Sequence, residues 1–419
     1  MRKIKFMIYW KKYSSKKLAD KIDKSLQGNV DFSNDTALGY PASKLDENVF
    51  YHNAPFLKDA PLLKTFVANP NHIGCHTVGE SEHAFKGTQK LERETLDVIA
   101  VDIFNAKPNE FDGYMATGGT EANIQALWVY RNYFIKTFGA TFSEIAIISS
   151  EDTHYSIPKG ANILGIENVI IPVDFETRII KRDVLSQRIQ EAQNNGKKYF
   201  IVISNMATTM FGSVDNPNLF VSVLKEFEVE FKIHIDGAYG GFVYPFSKDR
   251  EIIDFTNPHI SSITIDAHKM LQAPYGTGVF LTRKGLIENV LTEEAQYVNG
   301  MDLTLCGSRS GANALAVWMI LFSYGPHKWF EKISVLLMRT NWFCDQLKEL
   351  GIDFYRHPNM NIVTMKSDKI SKDIAEKFNL VPETHSGNNK WYKVVIMDHV
   401  EIDHLDAFLK MLKQSLLVK

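Results

Sequence analysis

The sequence predicts an α/β fold, with a mainly parallel sheet in a large domain and a small α+β domain at the C-terminus. Two observations carry that expectation. Between Asn105 and Leu291, short runs rich in Val and Ile alternate with segments of helical period; after Gly307 the texture changes to long helices and then a second, shorter set of strands. Strands alternating with helices at this spacing read as a parallel sheet covered on both faces, which is why the strand candidates are continuously apolar rather than alternating.

The strand candidates are Ile145–Ile148, Val169–Val173, Phe200–Ile203, Ile233–Ile235, Ile263–Ile265 and Val279–Leu281. Between them lie amphipathic stretches, Arg182–Gln193 and Asn218–Glu228 among them. Beyond Gly307, helical periodicity runs from Ala312 to Tyr324 and again from Trp329 to Leu350, where Gly351 is the stop signal. Strands near Asn361–Met365 and Trp391–Met397 and a last helix from Ile402 to Leu416 complete the small domain. The Tyr324-Gly325-Pro326 break, or the long helix behind it, marks the boundary, giving an N-terminal segment 1–100, a large domain 101–325 and a small domain 326–419. The first hundred residues hold few strand signals and several loop clusters such as Asn69-Pro70-Asn71, and no internal repeat recurs at a fixed period.

Composition bounds the function. With 419 residues, 45% of them hydrophobic, the chain has ample material for a large core, which excludes disordered, collagen-like and low-complexity classes. Lys and Arg number 47 against 49 Asp and Glu, a net charge of −2, so no long-range field gathers phosphate backbones and no nucleic-acid partner is expected. Three scattered cysteines, Cys75, Cys306 and Cys344, form no disulfide framework and suit a reducing cytoplasm. The apolar stretch Phe6–Trp10 is too short for a signal peptide, and no run has the length of a membrane helix, so no membrane partner is expected either. The basic opening, Arg2, Lys3, Lys5, Lys11 and Lys12, reads as a solvated helix face or a partner-gripping arm.

Four segments carry chemistry only when taken together. In Thr117-Gly118-Gly119-Thr120-Glu121-Ala122-Asn123 a Gly-Gly-Thr turn opens a helix, offering free backbone N–H groups, a positive dipole end and a hydroxyl to a phosphate; alone, Gly-Gly is also an ordinary tight turn. His234-Ile235-Asp236-Gly237-Ala238 ends an apolar strand on an acid, placed where α/β sheets bind ligands or where it caps the next helix. Asp266-Ala267-His268-Lys269 ends another strand on a lysine that forms a Schiff base if its pKa is depressed, and is otherwise a solvated cation. Glu151-Asp152-Thr153-His154-Tyr155-Ser156 places a histidine in the loop after the Ile145 strand, where a lone histidine is more often structural. The order of the four, with Asp236 and Lys269 separated by 33 residues, about one βαβ unit, is far more specific than any member.

These residues resemble the group II pyridoxal-phosphate-dependent decarboxylases, which have the aspartate-aminotransferase fold, type I. The resemblance spans residues 37–366. The Thr153–Ser156, His234–Phe246, Thr264–Met270 and Cys306–Gly311 segments look like archaeal-type tyrosine/aspartate decarboxylases. Gly39-Tyr40-Pro41 and the spacing from Tyr297 to Arg309 look more like bacterial histidine decarboxylases.

The resemblance implies a pyridoxal 5'-phosphate (PLP) enzyme that releases CO2 and a primary amine from an L-amino acid: tyrosine, aspartate or histidine. In that reading Lys269 carries the cofactor as a Schiff base, His154 stacks on its ring, Asp236 pairs with the ring nitrogen and Ala238 packs beneath. Gly119, Thr120 and His268 hold the phosphate, Thr208 lies near the ring oxygen or the substrate carboxylate, and Ser308 is lent to the phosphate of a partner in a homodimer with shared sites. The N-terminal segment covers the site and the dimer interface, so Tyr40, His76 and Tyr297 are the substrate-pocket candidates. His72 and His76 invite a metal reading, which Gly74 between them argues against because a His-x3-His site needs a helix; no metal is expected.

Departures from the family pattern are small. Ala207 stands where relatives usually have Gly and Gly237 where Ala is usual, and only nine residues separate Tyr297 from Gly307, so a long catalytic loop is absent. The rival readings are another PLP-dependent carbon–carbon lyase, an aminotransferase on the same fold, or a non-catalytic regulator. The N-terminal segment is not rich enough in Arg for a phosphorylated substrate, and a regulator has no chemical need of Lys269.

Overall fold

The computed structural model describes residues 10–29, 55–293, 301–384 and 390–417. Helices α1 (Ser15–Gln27), α2 (Pro61–Ala68) and α3 (Lys86–Asp97) come first, and α1 starts where the Ser14 hydroxyl accepts the Lys17 N–H. Then follow β1 (Phe111–Ala116), α4 (Gly119–Phe138), β2 (Ile145–Ser150), α5 (Ser156–Leu164), β3 (Glu167–Ile171), α6 (Arg182–Asn194) and β4 (Tyr199–Asn205). Helix α7 (Pro217–Glu226) and strands β5 (Glu230–Asp236), β6 (Ile260–Asp266) and β7 (Gly278–Arg283) finish the large sheet. The chain continues through α8 (Gly311–Glu349), β8 (Phe354–Tyr355), β9 (Ile362–Lys366), α9 (Lys372–Lys377), β10 (Val381–Pro382), β11 (Trp391–Val395) and α10 (Ile402–Leu417).

The seven large-sheet strands lie in the order β1-β7-β6-β5-β4-β2-β3, and the four small-sheet strands in the order β10-β11-β9-β8. The six expected strands are all present, and β3, β2, β4, β5 and β6 pair in parallel. β7 runs antiparallel to both neighbours, β6 and β1, so β1 points the same way as the parallel set. The carboxyl ends of β1, β2, β4, β5 and β6 therefore share one edge of the sheet, and each of the four chemistry-bearing segments leaves from that edge.

Both faces of the sheet are covered. Ala146, Ile148, Phe200 and Val202 join a core under α1, α3, α7 and the first part of α8; Ile145, Ile147, Ile201 and Ile203 point the other way, into a core with α4 and α5. This two-sided burial is the physical reason the strands read as unbroken apolar runs. Helix α8 kinks at Gly325, whose φ of +65° and ψ of 172° interrupt the helix just before Pro326. Past the kink, Trp329, Ile333 and Leu336 still pack in the large core, while Phe343, Cys344 and Leu347 belong to the small one. No helix among the described residues is long and apolar enough to cross a membrane.

Candidate active site

Close backbone approach builds the phosphate-like turn. Gly278 lies beside both Ala116 and Asp266 in the sheet register, and a Cβ there would meet the Gly118 backbone at 2.6 Å, so only glycine lets the turn settle against β7. A Cβ on Gly119 would meet Asp266 Oδ2 at 2.7 Å and Ala238 Cβ at 3.2 Å. Gly118, the N-cap of α4, has no side chain to cap the first turn, so the N–H groups of a 20-residue helix face the site uncapped. Glu121 braces the turn by accepting the Thr117 N–H and hydroxyl, both at 2.6 Å. Thr120 sits beside Gly119 in the same first turn, half-buried.

Asp236 ends β5 and is buried; its Oδ1 accepts the Ala238 N–H at 3.1 Å and its Oδ2 accepts Asn123 Nδ2 at 2.8 Å. Lys269 Nζ lies 3.2 Å from Asp266 Oδ2, and His268 Nε2 lies 3.7 Å from the same oxygen. Asp266 Oδ1 and His268 Nδ1 are buried with no hydrogen-bond partner among the described residues. His154 follows β2, with its Nδ1 2.9 Å from Ser156 Oγ. Burial pushes the His154 pKa down; the Asp236 charge opposes this and Lys269 adds to it, so both lie close enough to act on the ring. Asn205, in register with Asp236, donates to Thr153 Oγ1 at 2.9 Å and to Asp215 Oδ2 at 2.7 Å, which fastens the loop carrying His154 to the end of β4.

Thr208 is buried and shares a 2.7 Å hydrogen bond with Ser213 Oγ, closing a tight loop that the small sheet grips. Thr364 of β9 donates to Met210 O at 2.9 Å, and Lys393 of β11 donates to Thr209 O at 2.9 Å. Burial and then the charge of Lys269 lower the Lys393 pKa, so this small-domain cation feels the field of the Schiff-base candidate.

His76 is buried beside Glu92 rather than open to the edge. Its Nε2 is 3.4 Å from Glu92 Oε2, neither ring nitrogen has a hydrogen-bond partner among the described residues, and burial brings its pKa down to about 3. Glu92 also takes His72 Nδ1, the Met115 N–H at 2.9 Å and Arg309 Nη1 at 2.6 Å. The Glu92 carboxylate gathers the two histidines, and among the described residues no group of three or more His, Cys, Asp and Glu side chains is arranged to hold a metal ion. Ser308 is exposed and accepts from Asn71 Nδ2 at 3.1 Å. Tyr40 and Tyr297 lie outside the described residues.

The structure thus brings Gly119, Thr120, His154, Asp236, Ala238, His268 and Lys269 to one edge. Sequence reasoning missed Asn123, Asp266 and Lys393 there. Asn123 had a signal: it is a buried polar residue one helical turn after Gly119 on an otherwise apolar face. Asp266 is a second acid at a strand end, three residues before the lysine. Lys393 had none, since it comes from another sheet 124 residues further along the chain.

A model of the pyridoxal-dependent decarboxylase conserved domain matches residues 71–364. The chain belongs to this family, the group II PLP-dependent decarboxylases, and is an amino-acid carboxy-lyase. The tryptophan decarboxylase of Clostridium sporogenes is 52% identical to it over 403 residues, covering 96% of this chain and 97% of that one. The L-aspartate decarboxylase of Thermococcus kodakarensis is 30% identical over 338 residues, covering 78% and 83%. The solved structure of Oryza sativa TDC with PLP and tryptamine matches with a TM-score of 0.70 at 19% identity, over 81% of this chain and 78% of that one. L-Methionine decarboxylase from Streptomyces sp. 590 matches with a TM-score of 0.69 at 21% identity, over 83% and 86%. The solved structures speak for the fold, which is the expected type I architecture.

The residues at this edge fit PLP. The uncapped first turn of α4 and the unpartnered His268 Nδ1 suit a phosphate; the strand-end carboxylate of Asp236, the Lys269 amine and the shelf formed by Ala238 suit a pyridine ring.

Proposed function

We propose that this chain decarboxylates an aromatic L-amino acid, with L-tryptophan the first substrate, yielding tryptamine and CO2. The observation that carries the substrate is the 52% identity, over nearly the full length of both chains, to a tryptophan decarboxylase, against 30% to an aspartate decarboxylase. Tryptophan lies outside the three substrates the sequence motifs suggest, and most of those motifs belong to the cofactor site.

Bound at this edge, PLP supplies the electron sink that accommodates the negative charge left at Cα when CO2 departs. Lys269 would provide the amine that holds it, and its free amine would be available as a proton carrier. Asp236 would keep a proton on the ring nitrogen, with His154 and Ala238 on either side of the ring; Ala238 Cβ already lies so near the phosphate turn that a Cβ on Gly119 would meet it at 3.2 Å. Gly119, Thr120 and His268 take the phosphate, while Thr208, on the loop gripped by Thr364 and Lys393, faces the ring oxygen or the substrate carboxylate. The working unit is proposed to be a homodimer in which Ser308, exposed on a single chain, is lent to the partner's phosphate. Tyr40 and Tyr297 remain the substrate-pocket candidates in that assembly; His76, buried beside Glu92, is assigned instead to the Glu92–Arg309 cluster. The three free cysteines, two of them buried, support a cytoplasmic enzyme. We place the boundary of the small domain in α8, where core membership passes from one cluster to the next.

The test is amine and CO2 release from each common L-amino acid by PLP-loaded protein, with Lys269→Ala as control. Tryptamine from tryptophan, lost in the variant, is the expected result. Amine from aspartate or tyrosine but not from tryptophan would overturn the substrate, and no amine from any amino acid would overturn the reaction.

A further inference from the structure

The hydrogen bonds behind His154 all point one way. Asp236, as a carboxylate, only accepts, so the Asn123 amide must turn its nitrogen toward Oδ2, at 2.8 Å, and its oxygen toward His234. His234 Nε2 then donates to Asn123 Oδ1 at 3.0 Å, and its Nδ1 accepts the Ser262 hydroxyl at 2.6 Å. Nothing in that branch is left free to reverse.

The second hydrogen of Asn123 Nδ2 goes to Ser156 Oγ at 2.9 Å, which occupies a lone pair of that hydroxyl. The Ser156 hydroxyl keeps its hydrogen and a second lone pair, so its own 2.9 Å contact with His154 Nδ1 takes its direction from the backbone group beside it. The backbone N–H of Ser156 lies 3.2 Å from the same nitrogen, and a backbone amide has no capacity except to donate. Two donors converge on Nδ1, so Nδ1 carries the lone pair.

We propose that Asn123 and Ser156 lock His154 as the neutral Nε2–H tautomer and tie that choice to Asp236. His154 then offers a hydrogen-bond donor, and no basic lone pair, on the side away from Ser156. The inference rests on the reading that His154 and Asp236 bracket the cofactor ring. A proton on Nδ1 would confront the Ser156 N–H directly, so the imidazolium is disfavoured by geometry as well as by the burial that lowers the His154 pKa. His154 accordingly takes no proton from substrate; through Nε2–H it can hold an oxygen, such as that of the departing carboxylate. Asn123 and Ser156 are positioning residues, since each reaches the reacting atoms only through another side chain. Asn123, 1% exposed, serves three partners at once from inside α4.

Neutron diffraction from deuterium-exchanged, PLP-loaded protein reads the tautomer without any turnover. The expected result is deuterium on His154 Nε2 and none on Nδ1; density on Nδ1 would overturn the proposal. The coupling is read in Asn123→Ala, with Asn123→Ser as the conservative variant that can still donate to Asp236. The pH profile of kcat, or of the absorbance of the lysine-bound cofactor should no substrate be turned over, is expected to be flat for His154 in the parent. In Asn123→Ala it should gain an ionisation between pH 6 and 8 and kcat should fall about tenfold, with partial recovery in Asn123→Ser. An Asn123→Ala profile identical to the parent's would remove Asn123 from the lock. Loss of all amine production with the Nε2 tautomer in place would refute the decarboxylase reading and leave the tautomer standing.

Discussion

Glu92 and Arg309 offer the sharpest test of how the site is held. Their side chains are 0% and 2% exposed and meet at 2.6 Å, and Arg309 also donates from Nη1 to Met115 O at 3.0 Å and from Nη2 to Gly74 O at 2.8 Å. Burial alone would raise the Glu92 pKa, but Arg309, His76 and His72 outweigh it and hold the carboxyl well below its usual range. Glu92→Gln keeps the shape and can still accept the Met115 N–H, yet it strands a guanidinium in a dry interior, which costs about 3–5 kcal/mol. Arg309→Met strands the carboxylate at a similar cost of about 3–5 kcal/mol. The double variant has no buried charge left, so it should be more stable than the sum of the two losses implies, by at least about 2 kcal/mol of coupling. Equilibrium urea unfolding of the PLP-free proteins, followed by the fluorescence of buried Trp318, Trp329 and Trp391, measures this cycle. Losses that add to within about 0.5 kcal/mol would refute the claim that the pair acts as one unit. The double variant should also release PLP faster than the parent, because the pair pins Met115, at the end of β1, to the segments that carry Gly74 and Ser308.

Three further outcomes follow from particular contacts. Gly119→Ala should fold normally by circular dichroism yet bind PLP at least about tenfold more weakly, since the new methyl would sit 2.7 Å from Asp266 Oδ2; PLP affinity equal to the parent's would show that the turn is not the phosphate cradle. Ala207, with φ of +77°, occupies left-handed backbone at a cost of about 1–2 kcal/mol, so Ala207→Gly should raise the urea midpoint by a net gain of under about 1 kcal/mol after the extra freedom of the unfolded glycine is subtracted; a lower midpoint would contradict this. Burial lowers His76 to about 3 and His234 and His357 to about 4, below their ordinary 6.5, so their contribution to stability is full above pH 6.5 and declines as the pH falls toward 4, by up to about 1.4 kcal/mol per unit for each. Asp215, raised by burial to about 6, returns part of that loss between pH 6 and its ordinary 3.8; the urea midpoint should still drop from pH 7 to pH 5, less steeply in His357→Gln, and a flat midpoint would refute the assignment.

What could be read from the chain and what could not have separate physical causes. The strands of the parallel core announce themselves because burial on both faces demands unbroken apolar runs, as in Ile145–Ile148. β1 did not, because Phe-Asp-Gly-Tyr-Met-Ala has no β-branched residue and its Gly113 is required where a Cβ would strike Phe280 O at 2.3 Å. The direction of β7 was equally silent, since Val279–Leu281 is apolar whichever way it runs. Asp236, His154 and Lys269 were legible because each sits at or just beyond the end of a strong strand; the buried role of His76 was not, because it depends on Glu92, a residue in a helix that carries no motif.

That contrast explains why the cofactor was legible before the substrate. Every group assigned to the ring and phosphate leaves one edge of a single sheet, so strand ends in the sequence map directly onto the site. The groups near the place where an amino acid must lie come from elsewhere: the 207–213 loop is held by Thr364 and Lys393 from the small sheet, and Gly212 packs against Ile362 so closely that a Cβ there would meet it at 2.9 Å. Movement of the small sheet would therefore carry Thr208 and Lys393 together, while Asp236, Asn123 and His154, fastened to one another inside the large core, would stay in place. On the proposed site, chemistry and recognition would be built on different elements, so a change of side-chain specificity would not require a change in the bond-breaking machinery.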